Sequence, residues 1–302
     1  MRIAVVGAGL AGLAAVWHLL QKGHDVTLFD GKGIGGGASG VSTGLLHTSP
    51  GRQAIPSWRA DEGMKATLEL LQIASQERPV YIQNGILRLA ITEQQKIDFK
   101  KQPGWLENHS LPKATPGPAL WIPEGITVYS RLYLEGLWKA CQGAKLEKQT
   151  IHSLQELDSF DLIVLACGEA IRRFADLPLS YTIGQTLLCR WPEPLPVSLL
   201  SHGHITPTEN PELCQVGSTY EHTPEPDPKK ALELLEKVAL FYPPAKDFQI
   251  VEIRSGVRVS PKVGYRPLIE KISHKALVFT GLGSRGLLYH ALISRVLNNF
   301  LT

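Results

Sequence analysis

The sequence predicts an α/β chain, α+β in its total make-up. A parallel-sheet domain is assembled from separated segments and interleaved with a β-rich domain. Three observations predict it. A β-rich run, Ile3 to Val6, opens into Gly7-x-Gly9-x-x-Gly12, then a helical segment to Gly23, then a second β run ending at Asp30. Two later apolar runs, DLIVL and ALVFT, each end in a turn of small residues: Ala166, Cys167 and Gly168 after the first, Gly281 to Gly286 after the second. Between these stretches lie β-rich segments broken by prolines.

The opening phrase is a Rossmann-like dinucleotide fingerprint in its full βαβ context. Gly7 permits the tight turn, Gly9 lets backbone approach a pyrophosphate, and Gly12 lets helix and strand pack closely; Ala8, Leu10 and Ala11 complete the loop. The helix N-terminus offers free N–H groups and a positive dipole end to phosphates. Asp30, about 20 residues on, suits a ribose 2′-hydroxyl and repels a 2′-phosphate, which disfavours NADP. The motif alone leaves FAD and NAD open. In an open parallel sheet, ligands collect at the carboxyl ends of strands. A nicotinamide cofactor needs mainly the first glycine turn, so a ligand engaging all three turns points to FAD. The third turn, GLGSRG, begins a helix. That helix N-terminus would stabilise the negative charge that appears at N1 and the C2 carbonyl of a reduced flavin, with Gly283, Ser284 and Gly286 allowing close approach.

The remaining elements follow in order. Residues 31–53 are small and glycine-rich, as backbone wrapped around a ligand requires. Apolar spacing at Met64, Leu68, Leu71 and Ala74 predicts a helix over 58–78. Residues 79–92 read as strands joined by a hairpin turn at Asn84-Gly85, and 103–125 as a loop rich in Pro and Gly. A helix is expected over 131–142, a strand over 144–150, and a buried strand in FDLIVLACG. Residues 180–222 are β-rich. Residues 228–240 form an amphipathic helix started by Pro228. Strands follow at 248–259 and 276–281, and a last helix over 287–300. The cofactor domain is therefore expected to comprise 1–78, 126–178 and 253–302, and the second, substrate domain 79–125 and 179–252.

Composition narrows the function classes. The 302 residues can hold a large core, and 43% hydrophobic residues is ordinary for a globular protein. The net charge of +3 permits a polyanionic partner without demanding one. Four cysteines without CxxC spacing point away from metal and from a disulfide framework, toward a reducing compartment. No basic leader with a cleavage site precedes the cofactor motif, and no uncharged apolar run reaches the length of a membrane span. A cytoplasmic protein with no membrane partner and no metal is expected. His47 reads as a structural or solvated loop histidine, and Cys167 as a small buried side chain rather than a nucleophile.

Five stretches, VVGAGLAGLAAVWHL, GGGASGVSTGLL, DLIVLACG, SGVRV and VFTGLGSRGLL, occur in this order from end to end of the chain. Together they resemble the FAD-dependent glycine oxidase/D-amino-acid oxidase family of flavoproteins. Within it, GLGSRGL, VGSTYE and GVRVSPKVGYRPLIE most resemble the oxidase domain of the bifunctional tRNA 5-methylaminomethyl-2-thiouridine biosynthesis proteins. The resemblance implies that Gly7, Gly9 and Gly12 hold the pyrophosphate, with Asp30 and Gly31 at the ribose. Ala38, Ser39, Gly40, Gly44 and Leu45 would line the flavin and its phosphates. Backbone near Ile151 would meet the adenine, Ala166, Cys167 and Gly168 would close over the ADP portion, and Gly281, Gly283, Ser284, Arg285, Gly286 and Leu287 would surround the pyrimidine edge.

By the same resemblance Arg258 is the carboxylate anchor and the first catalytic candidate; a guanidinium fork binds a carboxylate bidentately. Arg285 is a second substrate candidate, and Tyr220 would contribute a hydroxyl or stand as a half-buried strand tyrosine. The implied reaction is oxidation of a carboxylate-bearing amine by hydride transfer to flavin, hydrolysis of the imine, and reoxidation by oxygen. The substrate is either a carboxymethylaminomethyl group on a tRNA wobble uridine or a free amino acid such as glycine, sarcosine or a D-amino acid. A flavin-binding protein without turnover is the reading of another class.

Overall fold

The computed structural model describes residues 1–300. Its first layer is a six-stranded sheet in the spatial order Leu268–Lys271, Ala276–Thr280, Leu162–Leu165, Arg2–Val6, Asp25–Phe29, Lys145–Glu147. All neighbours run parallel except the edge strand Leu268–Lys271. Strand order reverses beside Arg2–Val6: the next strand in sequence lies on one side and Leu162–Leu165 on the other. This is the switch point at which open α/β sheets bind ligands. The chain therefore leaves Val6, Leu165 and Thr280 at the same end of the sheet, and each strand runs into a turn that carries glycine.

Helix α1 (Leu10–Leu20) is buried along most of its length because it packs on this sheet and against two other helices, α4 (Ser130–Ala140) and α6 (Gly286–Ser294). Its sequence, LAGLAAVWHLL, has no wide polar face, as such burial requires. Helix α2 (Ala60–Ala74) packs against α4 and α6.

The second layer is an eight-stranded sheet in the order Gln249–Pro261, Leu179–Arg190, Leu213–Gly217, His204–Pro207, Ser198–Leu200, Ile86–Leu89, Ala119–Ile122, Trp105–Leu106. Its pairs are antiparallel except Ser198–Leu200 with Ile86–Leu89. Helix α5 (Pro228–Ala239), capped by Asp227 and started by Pro228, packs on it through Ala231, Leu234 and Val238. A small sheet of Leu45–Leu46, Ile126–Val128 and Tyr81–Ile82 completes the β structure.

Several expectations need correction. Asn84-Gly85 is not a hairpin turn. Tyr81–Ile82 pairs with Ile126–Val128, whereas Ile86–Leu89 pairs with Ser198–Leu200 and Ala119–Ile122, so the chain passes between sheets. Gly85 takes φ +78° there, and the Trp121 ring fills the space of its missing Cβ. The expected loop 103–125 contains two paired strands, Trp105–Leu106 and Ala119–Ile122. The last helix runs Gly286–Ser294 and tightens to a 3₁₀ turn over Arg295–Phe300. The helix expected over 58–78 is shorter and is entered through Arg59 at φ +47°. The strand Gln249–Pro261 pairs with Leu179–Arg190 along its length, so a boundary drawn at residue 253 cuts through one element. Helix α3 (Glu93–Phe99) was not anticipated, although its capping box, Thr92 with Gln95, is a sequence-level signal.

Three imidazoles are held neutral inside this fold. Burial pushes His47 down to about 3, reinforced by Arg88 and His204. Burial and Arg258 push His204 to about 3. Burial pushes His290 to about 4; its Nδ1–H donates to the Gly286 carbonyl at 2.9 Å and its Nε2 accepts from the Tyr133 hydroxyl at 2.6 Å. The unfolded chain protonates all three near 6.5, so below that pH it binds more protons than the fold does. The stability these groups allow is fully present above about pH 6.5 and falls with acidification down to about pH 4 for His290 and about pH 3 for His47 and His204. The loss is up to about 1.4 kcal/mol per histidine per pH unit. Urea midpoints that drop steadily from about pH 7 to about pH 5 are the expected result; a flat profile contradicts the burial of neutral imidazoles.

Candidate active site

The three turns at the sheet's carboxyl end touch one another. Built on Gly7, which sits at φ +108°, a Cβ would lie 2.4 Å from the Ala166 carbonyl oxygen; on Gly12 it would lie 1.7 Å from the Gly7 carbonyl oxygen. These two positions admit no side chain, because the obstacle is backbone. Helix α1 has no side-chain cap at Gly9, and its Leu10 N–H donates to Ser39 Oγ at 3.0 Å. The Asp30 carboxylate accepts from Ala8 N–H, Lys32 N–H and Gly33 N–H at 2.8, 2.8 and 2.9 Å, which fixes the strand end to the glycine loop. A carboxylate has about four lone-pair sites, so this leaves capacity for a hydroxyl donor.

A cavity of about 260 Å³ runs from these turns to the eight-stranded sheet. Gly9, Leu10, Ala11, Ala38, Ser39, Leu45, Ala166, Gly168, Gly281, Gly283, Ser284, Gly286, Leu287, Tyr220 and Arg258 line it, so residues from separated stretches of the chain converge. The other expected residues lie behind this wall. Gly7, Ala8 and Gly12 form the turn beneath it. Gly31 presses on the Thr150 hydroxyl, Gly40 on the Gly35 carbonyl and Gly44 on the Val128 carbonyl. Ile151 is buried in a core cluster with Phe29 and Leu165. The Cys167 thiol is pushed up to about 12, first by burial, which leaves it protonated and without nucleophilic character.

The cavity's far wall is built around a half-buried cation. Arg258 extends across Gly184 on the neighbouring strand, where an added Cβ would fall 2.3 Å from its guanidinium carbon. Its Nη1 donates to the Thr219 carbonyl at 3.0 Å and its Nη2 to Ser218 Oγ at 2.8 Å. The Tyr220 ring stands 4.6 Å from the guanidinium carbon. Among the described residues it meets no carboxylate. Two of its five N–H groups are used, and burial pushes its pKa down. Glu221 braces this wall from behind: it accepts from Thr219 Oγ1, from Gln185 Nε2 at 2.8 Å and from Asp227 N–H at 3.0 Å. Burial alone would raise its pKa, and those donors hold it below the usual carboxylate range.

Two expected site residues differ from their readings. Tyr220 lies beyond the strand Leu213–Gly217 and is 65% exposed, so it is not a half-buried strand tyrosine; it lines the cavity with its ring face toward Arg258. Arg285 turns to an outer groove, where Nε donates to Ser57 Oγ at 3.2 Å and the guanidinium stacks on Tyr265 at 3.9 Å. His47, read as a structural or solvated loop residue, is 5% exposed and lines the inner cavity, with Nδ1 unpartnered among the described residues. His204, Thr43, Ser218, Gly184 and Thr186 also line it and were missed: Thr43 and Ser218 lie inside the stretches GGGASGVSTGLL and VGSTYE without being singled out, and nothing in the local sequence marks His204, Gly184 and Thr186. The outer groove, about 1610 Å³, carries Arg52, Arg88, Arg266 and Arg285 with Trp58, Tyr265 and Tyr289.

The profile of the FAD dependent oxidoreductase family, DAO, matches residues 2–299. The chain belongs to that family. By that family it is an FAD-dependent oxidoreductase. The glycine cradle fits that cofactor: Gly7 and Gly12 leave no room for side chains and expose backbone where a pyrophosphate would lie.

The tRNA 5-methylaminomethyl-2-thiouridine biosynthesis bifunctional protein of Shewanella pealeana is 24% identical over 94% of this chain and 56% of its own length. The protein of the same description from Maricaulis maris is 25% identical over 97% of this chain and 50% of its own. The chain thus spans about half the length of these relatives. Glycine oxidase from Geobacillus kaustophilus shares the fold with a TM-score of 0.85 and 19% identity, covering 99% of this chain and 94% of that one. Iminodiacetate oxidase from Chelativorans sp. BNC1 gives 0.81 and 19%, over 99% and 95%. Among the described residues no helix is long and apolar enough to cross a membrane, and no cluster of His, Cys, Asp and Glu is arranged to hold a metal ion.

Proposed function

We propose that this family member oxidises the C–N bond of an amine that also bears a carboxylate, and that the amine is a carboxymethylaminomethyl group on a tRNA wobble uridine. The observation that carries the reading is Arg258: a half-buried guanidinium at the cavity wall with unused donors and no anionic partner among the described residues. A partly desolvated charge without a partner is costly, and a substrate carboxylate would complete it. FAD, when bound, supplies the two-electron acceptor for hydride from the carbon next to nitrogen. The chain's contribution is orientation and exclusion of water. Hydrolysis of the resulting imine would give aminomethyluridine and glyoxylate.

In this reading Gly7, Gly9 and Gly12 carry the pyrophosphate on the α1 N-terminus, and Asp30 adds a ribose contact to its backbone bonds. Ala38, Ser39 and Leu45 border the flavin, and the α6 N-terminus with Gly281, Gly283, Ser284, Gly286 and Leu287 faces its pyrimidine edge. The outer groove supports the RNA-borne substrate. Arg266 and Arg285 lie there beside the rings of Trp58 and Tyr265, the combination that tracks a phosphate backbone and stacks bases.

A free amino acid is the second reading, favoured by the net charge of +3, which is low for a chain that binds tRNA by charge. One experiment separates the two. The FAD-loaded protein is incubated with tRNA carrying carboxymethylaminomethyluridine and, separately, with glycine, sarcosine and D-alanine. Nucleosides and peroxide are then measured. Loss of the modified nucleoside with glyoxylate release supports the first reading; turnover of free amino acids alone replaces it with the second.

A further inference from the structure

Arg258 accounts for one end of the proposed substrate, and nothing above accounts for the amine. The inner cavity and the outer groove share Pro50, Leu200, His204, Ser218, Tyr220 and Ser284, so these residues form the throat between them. His204 is the one imidazole in that set. It sits on the same sheet as Arg258, in the row His204–Gly217–Thr186 across three strands.

Two glycines make room for the pair. Gly184 leaves the space where the Arg258 guanidinium lies, and a Cβ on Gly217 would fall 2.7 Å from His204 Nε2. The sheet thus holds a cation and an imidazole in two adjacent slots that lack side chains of their own. His204 Nε2 is 2.7 Å from Thr43 Oγ1, and the Thr43 carbonyl accepts from Thr206 Oγ1 at 3.0 Å, which fixes the ring. Nδ1 has no hydrogen-bond partner among the described residues. The half-buried ring borders the cavity. The Arg258 charge opposes a second cation at this place and favours the uncharged imidazole. With Nε2–H donating to Thr43, Nδ1 is an acceptor.

We propose that His204 is the second polar contact of the substrate, accepting a hydrogen bond from its amine N–H while Arg258 holds its carboxylate. The imidazole engages the N–H, and the Arg258 charge nearby disfavours a second cation at that nitrogen, which favours the neutral amine from which hydride leaves. It also discriminates carboxylates that lack nitrogen, because an unpaired imidazole acceptor is left behind when they bind. The inference rests on the carboxylate reading of Arg258, and its test separates the two.

Two ligands of one shape and no oxidisable C–H serve as probes: 2-aminoisobutyrate, and pivalate, in which a methyl replaces the amine. Calorimetric affinities are measured on FAD-loaded wild type, His204→Phe, His204→Gln and Arg258→Met. Wild type should bind 2-aminoisobutyrate more tightly than pivalate. His204→Phe should lose about tenfold for the amino acid, the size of one net hydrogen bond, and leave pivalate unchanged. His204→Gln, whose amide oxygen accepts, should recover part of the difference. Arg258→Met should weaken both. If His204→Phe weakens both ligands equally, or neither, the assignment of His204 is overturned while Arg258 stands. If wild type binds neither ligand, the carboxylate reading and this inference fall together.

Discussion

Replacing Arg258 by Met is expected to raise KM steeply while FAD stays bound. The loss is that of one partner of a buried, hydrogen-bonded charge pair, about 2–5 kcal/mol. That corresponds to between about thirtyfold and several thousandfold in kcat/KM. The guanidinium sits on the eight-stranded sheet, held by Ser218 and Thr219, whereas the glycine cradle belongs to the six-stranded sheet. Cofactor content, read from the ratio of flavin to protein absorbance, should therefore match wild type. Met fills much of the arginine stem's volume, so the cavity wall keeps its packing. Unchanged kcat/KM would remove Arg258 from the substrate contacts; loss of flavin along with activity would show that the two sheets do not have separate roles.

The second large effect is expected at Gly12. A Cβ there would lie 1.7 Å from the Gly7 carbonyl oxygen, a backbone atom of the preceding turn. Relief requires α1 to move off the strand Arg2–Val6, which disturbs the helix end proposed to face the cofactor and a helix buried along most of its length. Gly12→Val should cost about 4 kcal/mol or more and yield protein without flavin colour. Gly9→Ala is the informative contrast. Its Cβ would meet the Ser39 hydroxyl at 2.7 Å, a side-chain end that can rotate away. Gly9→Ala should fold with near-normal stability and lose only part of its FAD affinity. Thermal unfolding and FAD titration of both variants check this; equal stabilities for the two would contradict the packing account of Gly12.

Much of the cofactor half was legible in the sequence because its signals are local. Gly7, Gly9, Gly12 and Asp30 fall within one βαβ unit, and the turns at Ala166 and Gly281 each follow an apolar strand whose period is short. The substrate wall was less legible because it is built by pairing between distant strands. Gly184 matters only because Arg258 lies across it, and Gly217 only because His204 does; neither relation has a sequence period. The strand pair near Asn84-Gly85 shows the same limit. Both runs were recognisable, but which sheet each joins depends on partners far away in the sequence, and loop-closure entropy grows too slowly with length to forbid such pairings. Arg285 followed the motif that contains it, and its side chain turned outward because Tyr265 offers a ring face there.

The central claim is that a carboxylate on Arg258 positions the amine for oxidation. The most direct test mixes FAD-loaded protein, without oxygen, with an N-alkylglycine and with the methyl ester of the same compound, and follows bleaching of the flavin absorbance. The acid differs from its ester by one charge and leaves the reacting C–H and nitrogen intact. The account predicts rapid bleaching by the acid and bleaching slowed by at least about thirtyfold with the ester. Equal bleaching by both, or bleaching by the ester alone, would contradict it.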